Sequence, residues 1–435
     1  MIKISVITPV YNTEPYLRQC LDSLASQILK DMEFICVNDG STDASLQILQ
    51  EYAAADTRFR VINQPNGGYG KAINVGIRAA RGEYIGFLES DDFAESNMFE
   101  VLYQAAIEKR ADIVKSNYFI YRDGVSVFHE VLKEYLYEQV FSPFDYWRIF
   151  WDSMIWTGLR RRKFLLDNDI WVNETPGASY QDTGFKFKEL ACAKRVYLLK
   201  DAFVHYRMDN AASSINSRQK VYCLCDEYAE IERYLRSRPE LPKKYLYVME
   251  ALKFDGYRWN LRRISRKYRM EFLQHVVDEF SEADRQGLLD SRYWQKEQWQ
   301  TVRDMVSNPG KFVYGVYARL CSQSLLASGF KSVTARHETV YIYGAGKVGR
   351  ETLDFLHRAK IEPSGFLVAS MEGNPLQLDG LHVLEASDDS VSREVMILLA
   401  ITEKNQSSAF SLLTTLGYKH VVPMTDELRE SLRVD

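Results

Sequence analysis

The sequence predicts an α/β protein of 435 residues in three parts. Residues 1–220 read as a domain built on a mostly parallel sheet, 221–333 as a helical region, and 334–435 as a second, smaller α/β domain. Three observations carry this. Short apolar runs alternate with amphipathic helical patterns from Ile4 to Asn117. From Val221 to about Leu326 the periodicity is helical, without strand signals. From Thr339 a strand, a glycine-rich turn and a helix open a new alternation.

The elements follow in order. Ile4 to Val10 is a first strand and Tyr11-Asn12-Thr13 a loop. A helix starts near Glu14-Pro15, where proline fits the first turn; Leu17, Cys20, Leu21 and Leu24 form its apolar stripe. Met32 to Val37 is a second strand, followed by Asn38-Asp39-Gly40-Ser41-Thr42-Asp43. Ser41 is the expected N-cap of the next helix, with Asp43 in its first turn. Phe59 to Asn63 is a third strand, and Gln64 to Gly70 a glycine-rich loop. Lys71 to Ala80 is a helix. Tyr84 to Leu88 is a buried strand that ends abruptly in Glu89-Ser90-Asp91-Asp92. Ala111 to Asn117 supplies another.

Each polar cluster falls just after a strand: Tyr11-Asn12, Asp39, Asn66 to Lys71, and Glu89 to Asp92. In a parallel sheet the carboxyl ends share one edge, so these clusters converge on a single pocket. Glycines let backbone amides approach a ligand closely. Lys71 adds a cation, and Asp39 can accept hydrogen bonds from a base or ribose. Carboxylates packed as closely as Glu89, Asp91 and Asp92 repel one another unless a cation or strong donors lie nearby. Hard oxygen ligands suit Mg²⁺ or Mn²⁺, which often hold substrate phosphates. Taken alone, these carboxylates read equally well as a solvated turn capping the next helix. Together the clusters point to a nucleotide carrying a diphosphate.

The stretches VITPVYNTEPYLRQCLDSLASQ, FICVNDGSTD, NGGYGKAINVGIRAARGEYIGFLESDD and SYQDTGFKFKEL, in this order, resemble the family 2 glycosyltransferases of GT-A fold. The resemblance covers roughly the first half of the chain. It implies inverting transfer of a sugar from a nucleotide-sugar donor, usually UDP-linked, with Mg²⁺ or Mn²⁺ at a D-x-D motif. That motif maps to Glu89-Ser90-Asp91, with Asp92 following. Glu89 departs from the usual Asp, which leaves Asp91 as the safer metal ligand. By the same resemblance Pro9, Tyr11 and Asp39 hold the nucleoside. Asn66 and Lys71 lie near the base, ribose or phosphates, and Ser90 and Asp91 near the donor. Asp182 maps to the catalytic base, with Gln181 in place of the usual Glu; without the family pattern Asp182 reads as a helix N-cap. Val204-His205-Tyr206-Arg207 and Ser213-Ser214 resemble the family's closing segment. There Arg207 is either a phosphate clamp or a surface ion pair, and His205 a packed histidine or a metal ligand. The family usually has Lys where Gly158 stands. The acceptor implied is a saccharide or a lipid-linked one, in surface polysaccharide or glycoconjugate synthesis.

The rest of the chain is less specific. Trp147, Phe150, Trp151 and Met154 sit at helical spacing ahead of Arg160-Arg161-Arg162-Lys163. They read as an acceptor platform or membrane-interface helix, or as a core helix with a solvated basic end. The basic-aromatic block from Tyr257 to Arg269 could meet a phosphorylated lipid acceptor or anionic lipids, or be a solvated helix face. The helical region is expected to bridge two domains and leaves room for a homo-oligomer contact. In the last domain Gly344-Ala345-Gly346-Lys347-Val348-Gly349 has the strand–turn–helix context of a dinucleotide-type turn. Val368-Ala369-Ser370 then lacks the carboxylate that an NAD ribose needs. This part resembles accessory Rossmann-like domains of polysaccharide-synthesis enzymes. An NAD(P)-dependent oxidoreductase is the alternative from this domain. An inactive nucleotide-sugar-binding scaffold is the alternative from Glu89, Gln181 and Gly158.

The net charge of −4 argues against a general nucleic-acid binder. Six cysteines lie scattered, mostly within apolar patterns, as expected of reduced thiols in the cytoplasm. The chain opens on a strand without a signal-peptide pattern, and no apolar run is long enough to span a bilayer. A cytoplasmic protein is expected, or one peripheral to the inner face of the membrane.

Overall fold

The computed structural model describes residues 1–131, 136–151, 154–177, 180–210, 220–328 and 339–431. Asp152 and Ser153 of the aromatic run, Ser213-Ser214 and the expected boundary at 333–334 lie outside the described residues. The chain forms two compact units. One comprises Met1–Phe272 with Gly287–Tyr293, the other Leu273–Gln286 with Trp294–Asp435.

The first unit is built on β1 (Ile4–Val10), α1 (Glu14–Ala25), β2 (Met32–Asp39), α2 (Ser45–Ala55), β3 (Phe59–Gln64), α3 (Tyr69–Ala79) and β4 (Tyr84–Phe87). It continues with β5 (Phe93–Ala94), α4 (Met98–Glu108), β6 (Ile113–Arg122), β7 (Val125–His129), β8 (Val140–Phe141) and β9 (Gly158–Arg161). Last come α5 (Arg162–Asp167), α6 (Gln181–Cys192) and β10 (Val196–Arg207). The sheet runs β3-β2-β1-β4-β9-β6-β10-β5. The pairs β1–β2, β1–β4 and β2–β3 are parallel, as the apolar runs predict. β1 and β2 are buried along their whole length, which a sheet covered on both faces requires.

The structure differs from expectation where β9 enters the sheet. It pairs antiparallel with β4 on one side and β6 on the other. Arg160, expected on a solvated basic end, is instead 0% exposed. Its guanidinium grips Glu189 of α6 and lies 5.4 Å from the Phe87 ring centroid. Gly158 meets β6 so closely that a Cβ would stand 1.9 Å from Val114 O. The helix expected over Trp147 to Met154 is a 3₁₀ turn, Trp147–Trp151. Trp147 stacks edge-on against Trp151 and Tyr293, and Trp151 Nε1 donates to Asp255 Oδ2 at 3.0 Å.

The helical region consists of α7 (Cys223–Arg236), α8 (Lys244–Arg263), α9 (Arg269–Arg285), α10 (Lys296–Ser307) and α11 (Pro309–Ser328). α7 packs between α6 and α8 within the first unit.

In the second unit β11 (Val340–Tyr343) leads through the glycine turn to α12 (Lys347–Arg358). Then follow β12 (Gly365–Val368), β13 (Gln377–Leu378), β14 (Leu381–Glu385), β15 (Met396–Leu399), α13 (Glu403–Thr415) and β16 (His420–Pro423). The order is β13-β14-β12-β11-β15-β16, parallel except for β13–β14. This is the doubly wound arrangement with its switch point beside β11. Gly344 has φ +112, and a Cβ on Gly349 would stand 1.9 Å from Gly344 O. The turn therefore needs both glycines to bring the helix down onto the strand.

Candidate active site

Four loops meet at the carboxyl edge of the first sheet. Those after β1 and β2 are tied together: Asn12 N donates to Ser41 Oγ at 3.1 Å, and Asn12 Oδ1 accepts from Thr42 N at 2.8 Å. Ser41 thus braces the neighbouring loop and is not an N-cap; α2 starts at Ser45. Pro9 is buried at the end of β1, and Tyr11 stands 51% exposed on the loop it leads into.

Asp39 ends β2 and is buried. Its Oδ1 accepts from Gln64 Nε2 at 2.7 Å and Gly67 N at 2.9 Å, and its Oδ2 from Gly68 N at 2.8 Å. The carboxylate therefore fastens the glycine-rich loop. Gly68, at φ +90, lies where a Cβ would meet Gly177 N at 2.8 Å. Asn66, on the same loop, and Lys71, in the first turn of α3, are both exposed.

The carboxylates after β4 divide their tasks. Glu89 is half-buried and accepts from the Tyr69 hydroxyl at 2.6 Å. Burial pushes its carboxyl up to about 8, and the charges of Asp91 and Asp182 add to this against the tyrosine hydrogen bond. Asp91 Oδ2 accepts from Asn210 Nδ2 at 2.8 Å. Asp92 is buried; one oxygen accepts the Arg207 amide at 2.8 Å, and the other has no hydrogen bond. Burial and the neighbouring Asp91 raise its pKa well above the usual carboxylate range. Ser90 is buried between them.

Arg207 ends β10 and is 8% exposed, so it is no surface ion pair. Nε donates to Asp91 O at 2.8 Å, Nη2 to Gln19 Oε1 and Nη1 to Asp209. The guanidinium lies 4.9 Å from the Tyr16 centroid and 4.7 Å from that of Tyr121. His205 is sandwiched between Phe93 and Phe119. Both its ring nitrogens are engaged, Nδ1 with Ser126 Oγ at 2.7 Å and Nε2 with Glu95 Oε1 at 2.9 Å. It is a packed histidine.

Asp182 stands in the first turn of α6, whose N-cap is Tyr180. A carboxylate there is favoured by the helix dipole. Burial still raises its pKa, partly offset by Lys186. Its charge raises the pKa values of Glu89 and Tyr69, so base candidate and acidic corner share one field. Gln181 is buried and donates through Nε2 to Thr175 Oγ1 at 2.9 Å and Gly177 O at 2.8 Å. It holds the 175–177 segment against the glycine-rich loop, where Tyr69 N donates to Gly177 O at 3.2 Å.

Sequence reasoning passed over four residues that build this corner: Gln19, Tyr69, Asn210 and Glu227. Tyr69 lies inside the glycine-rich motif and could have been found there. Glu227 is on α7, fully buried, and accepts from Asn173 Nδ2 at 3.1 Å. Nothing in a helical run of mixed charge marks it out.

Carboxylate oxygens at Glu89 and Asp91 form the hard donor set that Mg²⁺ or Mn²⁺ requires. Asp92 Oδ2 is buried without a hydrogen bond, and burial, with the charges of Asp91 and Asp182 adding to it, raises the pKa of Glu89. The residues present fit a divalent ion.

The family described as Glycosyl transferase family 2 matches residues 5–167, which ends before Asp182. The chain is 37% identical over 218 residues to the uncharacterized glycosyltransferase EpsJ of Bacillus subtilis, covering 47% of this chain and 60% of EpsJ. It is 43% identical over 141 residues to glycosyltransferase GlyA of Streptococcus pneumoniae, covering 32% of this chain and 20% of GlyA. The chain thus spans less than two thirds of these relatives. Among solved structures, S. aureus TarS 1–349 in complex with UDP has a TM-score of 0.52 at 21% identity, over 70% of this chain and 90% of that one. That likeness is one of fold.

Proposed function

We propose that this chain, whose residues 5–167 match glycosyltransferase family 2, transfers a sugar from a UDP-linked donor to a saccharide or lipid-linked acceptor, with inversion. The product would be a surface polysaccharide or glycoconjugate. The observation that carries the reading is the meeting of Asp39, the glycine-rich loop, Glu89-Ser90-Asp91 and Asp182 at one sheet edge.

In this reading Pro9, Tyr11 and the Asp39-fastened loop receive the nucleoside. Asn66 and Lys71 stand by the ribose and diphosphate. Asp91 and Glu89 would hold Mn²⁺ or Mg²⁺, whose charge would offset that building on the departing UDP. Arg207 and Asn210 keep Asp91 in place. Asp182 accepts the proton of the acceptor hydroxyl as it attacks the anomeric carbon. Its raised pKa brings a carboxylate nearer the working range of a general base. Among the described residues no helix is long and apolar enough to cross a membrane; we place the protein in the cytoplasm, or at the inner membrane face beside a lipid-linked acceptor.

The test is release of UDP from UDP-sugars with Mn²⁺ and water as acceptor, alongside UDP binding by calorimetry. Metal-dependent turnover lost in Asp91→Ala and in Asp182→Ala supports the reading. Full activity in Asp182→Ala removes the base assignment, and no UDP binding with metal present removes the donor site.

A further inference from the structure

Taking Asp182 as the base, as above, we propose that Glu227 is its positioning residue: from α7 it backs the first turn of α6 and locks that turn to the segment 172–177, which runs against the donor side. Glu227 lies outside the segment matched by the family.

Glu227 is 0% exposed and meets two elements at once. Its Oε1 accepts from Asn173 Nδ2 at 3.1 Å. Its Oε2 lies against α6, where a Cβ on Gly184 would stand 2.5 Å from it. Gly184 follows Asp182 by two residues. Two residues span roughly 200° of helical turn, so the pair face nearly opposite sides. Glu227 therefore bears on the back of the turn whose front presents Asp182.

Asn173 carries the contact on to the donor side. A Cβ on Gly70 would strike the Asn173 carbonyl, so the segment presses on the first turn of α3. Asn74 of α3 clamps the neighbouring residue: its Nδ2 donates to Val172 O at 2.8 Å, and its Oδ1 accepts from Val172 N at 2.9 Å. At the other end Gln181 holds Thr175 and Gly177. Donor helix, segment and base helix are fastened in series, and Glu227 closes the series from behind.

Stability alone does not account for this side chain. Oε2 is buried without a hydrogen bond, although the Gly184 amide favours its charged form. A buried polar atom left unpaired costs stability, so its presence calls for another reason. Burial raises the Glu227 pKa to about 8 against the Asn173 hydrogen bond, and the charge of Asp182 adds to this. At neutral pH the proton therefore stays on Glu227. A neutral carboxyl supports α6 without opposing the charge that a base must carry. Length and neutrality are what the position requires.

The test, on the full chain with Mn²⁺, is release of UDP into water from UDP-glucose, UDP-galactose and UDP-N-acetylglucosamine, beside UDP binding by calorimetry. In Glu227→Ala kcat should fall about tenfold or more, since a slightly misplaced reacting group costs that much. Donor KM and UDP affinity should hold, because Asp39 fastens the donor loop independently. Glu227→Gln keeps the length and is neutral, so it should recover most of the lost kcat. Glu227→Asp keeps the acid on a shorter arm and should not. Melting curves show which variants fold; if the alanine variant does not, the other two decide. The proposal is overturned if folded Glu227→Ala turns over like wild type. It is also overturned if Asp restores kcat and Gln does not, which would make charge the requirement. A loss of UDP affinity with kcat unchanged overturns it too, leaving Glu227 as a support of the donor loop. A wild type that binds no UDP, or releases none from the three donors, instead defeats the nucleotide-sugar reading, and this proposal falls with it.

Discussion

Arg160 and Glu189 form a two-pronged ion pair from which solvent is excluded: Nε–Oε2 is 2.7 Å, Nη2–Oε1 is 2.9 Å, and both side chains are 0% exposed. The pair ties β9 to α6, the helix that carries Asp182. Removing one partner strands a buried charge. Glu189→Ala should cost about 3–5 kcal/mol of stability by denaturant unfolding. A tolerated Glu189→Ala would mean that water reaches the pair.

Gly158 gives a second prediction about the same strand. A methyl there meets Val114 O, a backbone atom that cannot swing aside. Gly158→Ala should destabilise the first unit by about 1–3 kcal/mol, and the lysine usual in the family should be worse. Thermal unfolding of the two variants against wild type decides it.

Metal affinity should rise with pH. Glu89 must shed its proton to ligate, and it holds that proton up to about 8. Mn²⁺ should therefore bind more tightly at about pH 9 than at about pH 6.5. Tyr69→Phe removes a hydrogen bond that favours the charged form, so the variant should need higher pH for the same affinity. Calorimetric Mn²⁺ titrations at the two pH values read this without any turnover. A flat profile in the wild type would take Glu89 out of the ligand set.

Glu227 makes stability itself pH-dependent. Burial raises its pKa to about 8, Asp182 adding to the effect, against about 4.3 in an unfolded chain. A group that binds its proton more tightly when folded stabilises fully below the unfolded value, and that stability is lost as pH climbs through the folded one. From about pH 5 to about pH 8 the wild type should lose up to about 1.4 kcal/mol per pH unit from this residue. Glu227→Gln should flatten that part of the curve, and at about pH 8 should melt higher than wild type. Equal slopes in the two proteins would mean that Glu227 is ionised in the fold.

Asp182→Asn is the sharpest probe of the chemistry. The amide keeps the shape but cannot take a proton, so transfer should fall by about 10²–10⁴-fold with UDP affinity unchanged. Unaltered turnover would move the base elsewhere.

The sequence showed much of this site because parallel strands announce their ends. An apolar run followed by Asp39, or by Glu89-Ser90-Asp91, marks both strand and rim, since one geometry produces both. β9 was hidden for the opposite reason. Arg160-Arg161-Arg162-Lys163 has the composition of a solvated face, and only a partner 29 residues away makes burial affordable for Arg160. The division of labour among the carboxylates was hidden too: whether Asp92 faces a ligand or the Arg207 amide depends on a strand more than a hundred residues later. Arg207 itself read as clamp or surface pair. Its guanidinium is braced inside the protein, because Tyr16 and Gln19 of α1, Tyr121 of β6 and Asp209 converge on it.

The side chain of Gln181 bears on how this chain should be redesigned. Its amide gives hydrogen bonds to Thr175 O and Gly177 O, a task no carboxylate can perform. Reverting a protein toward its family's average is usually a safe route to robustness. Here glutamate at 181 would set a negative charge against two carbonyls, and lysine at 158 would strike a neighbouring strand. These two departures are matched to their surroundings, so they are no sign of decay, and an engineer working from the family average should leave both alone.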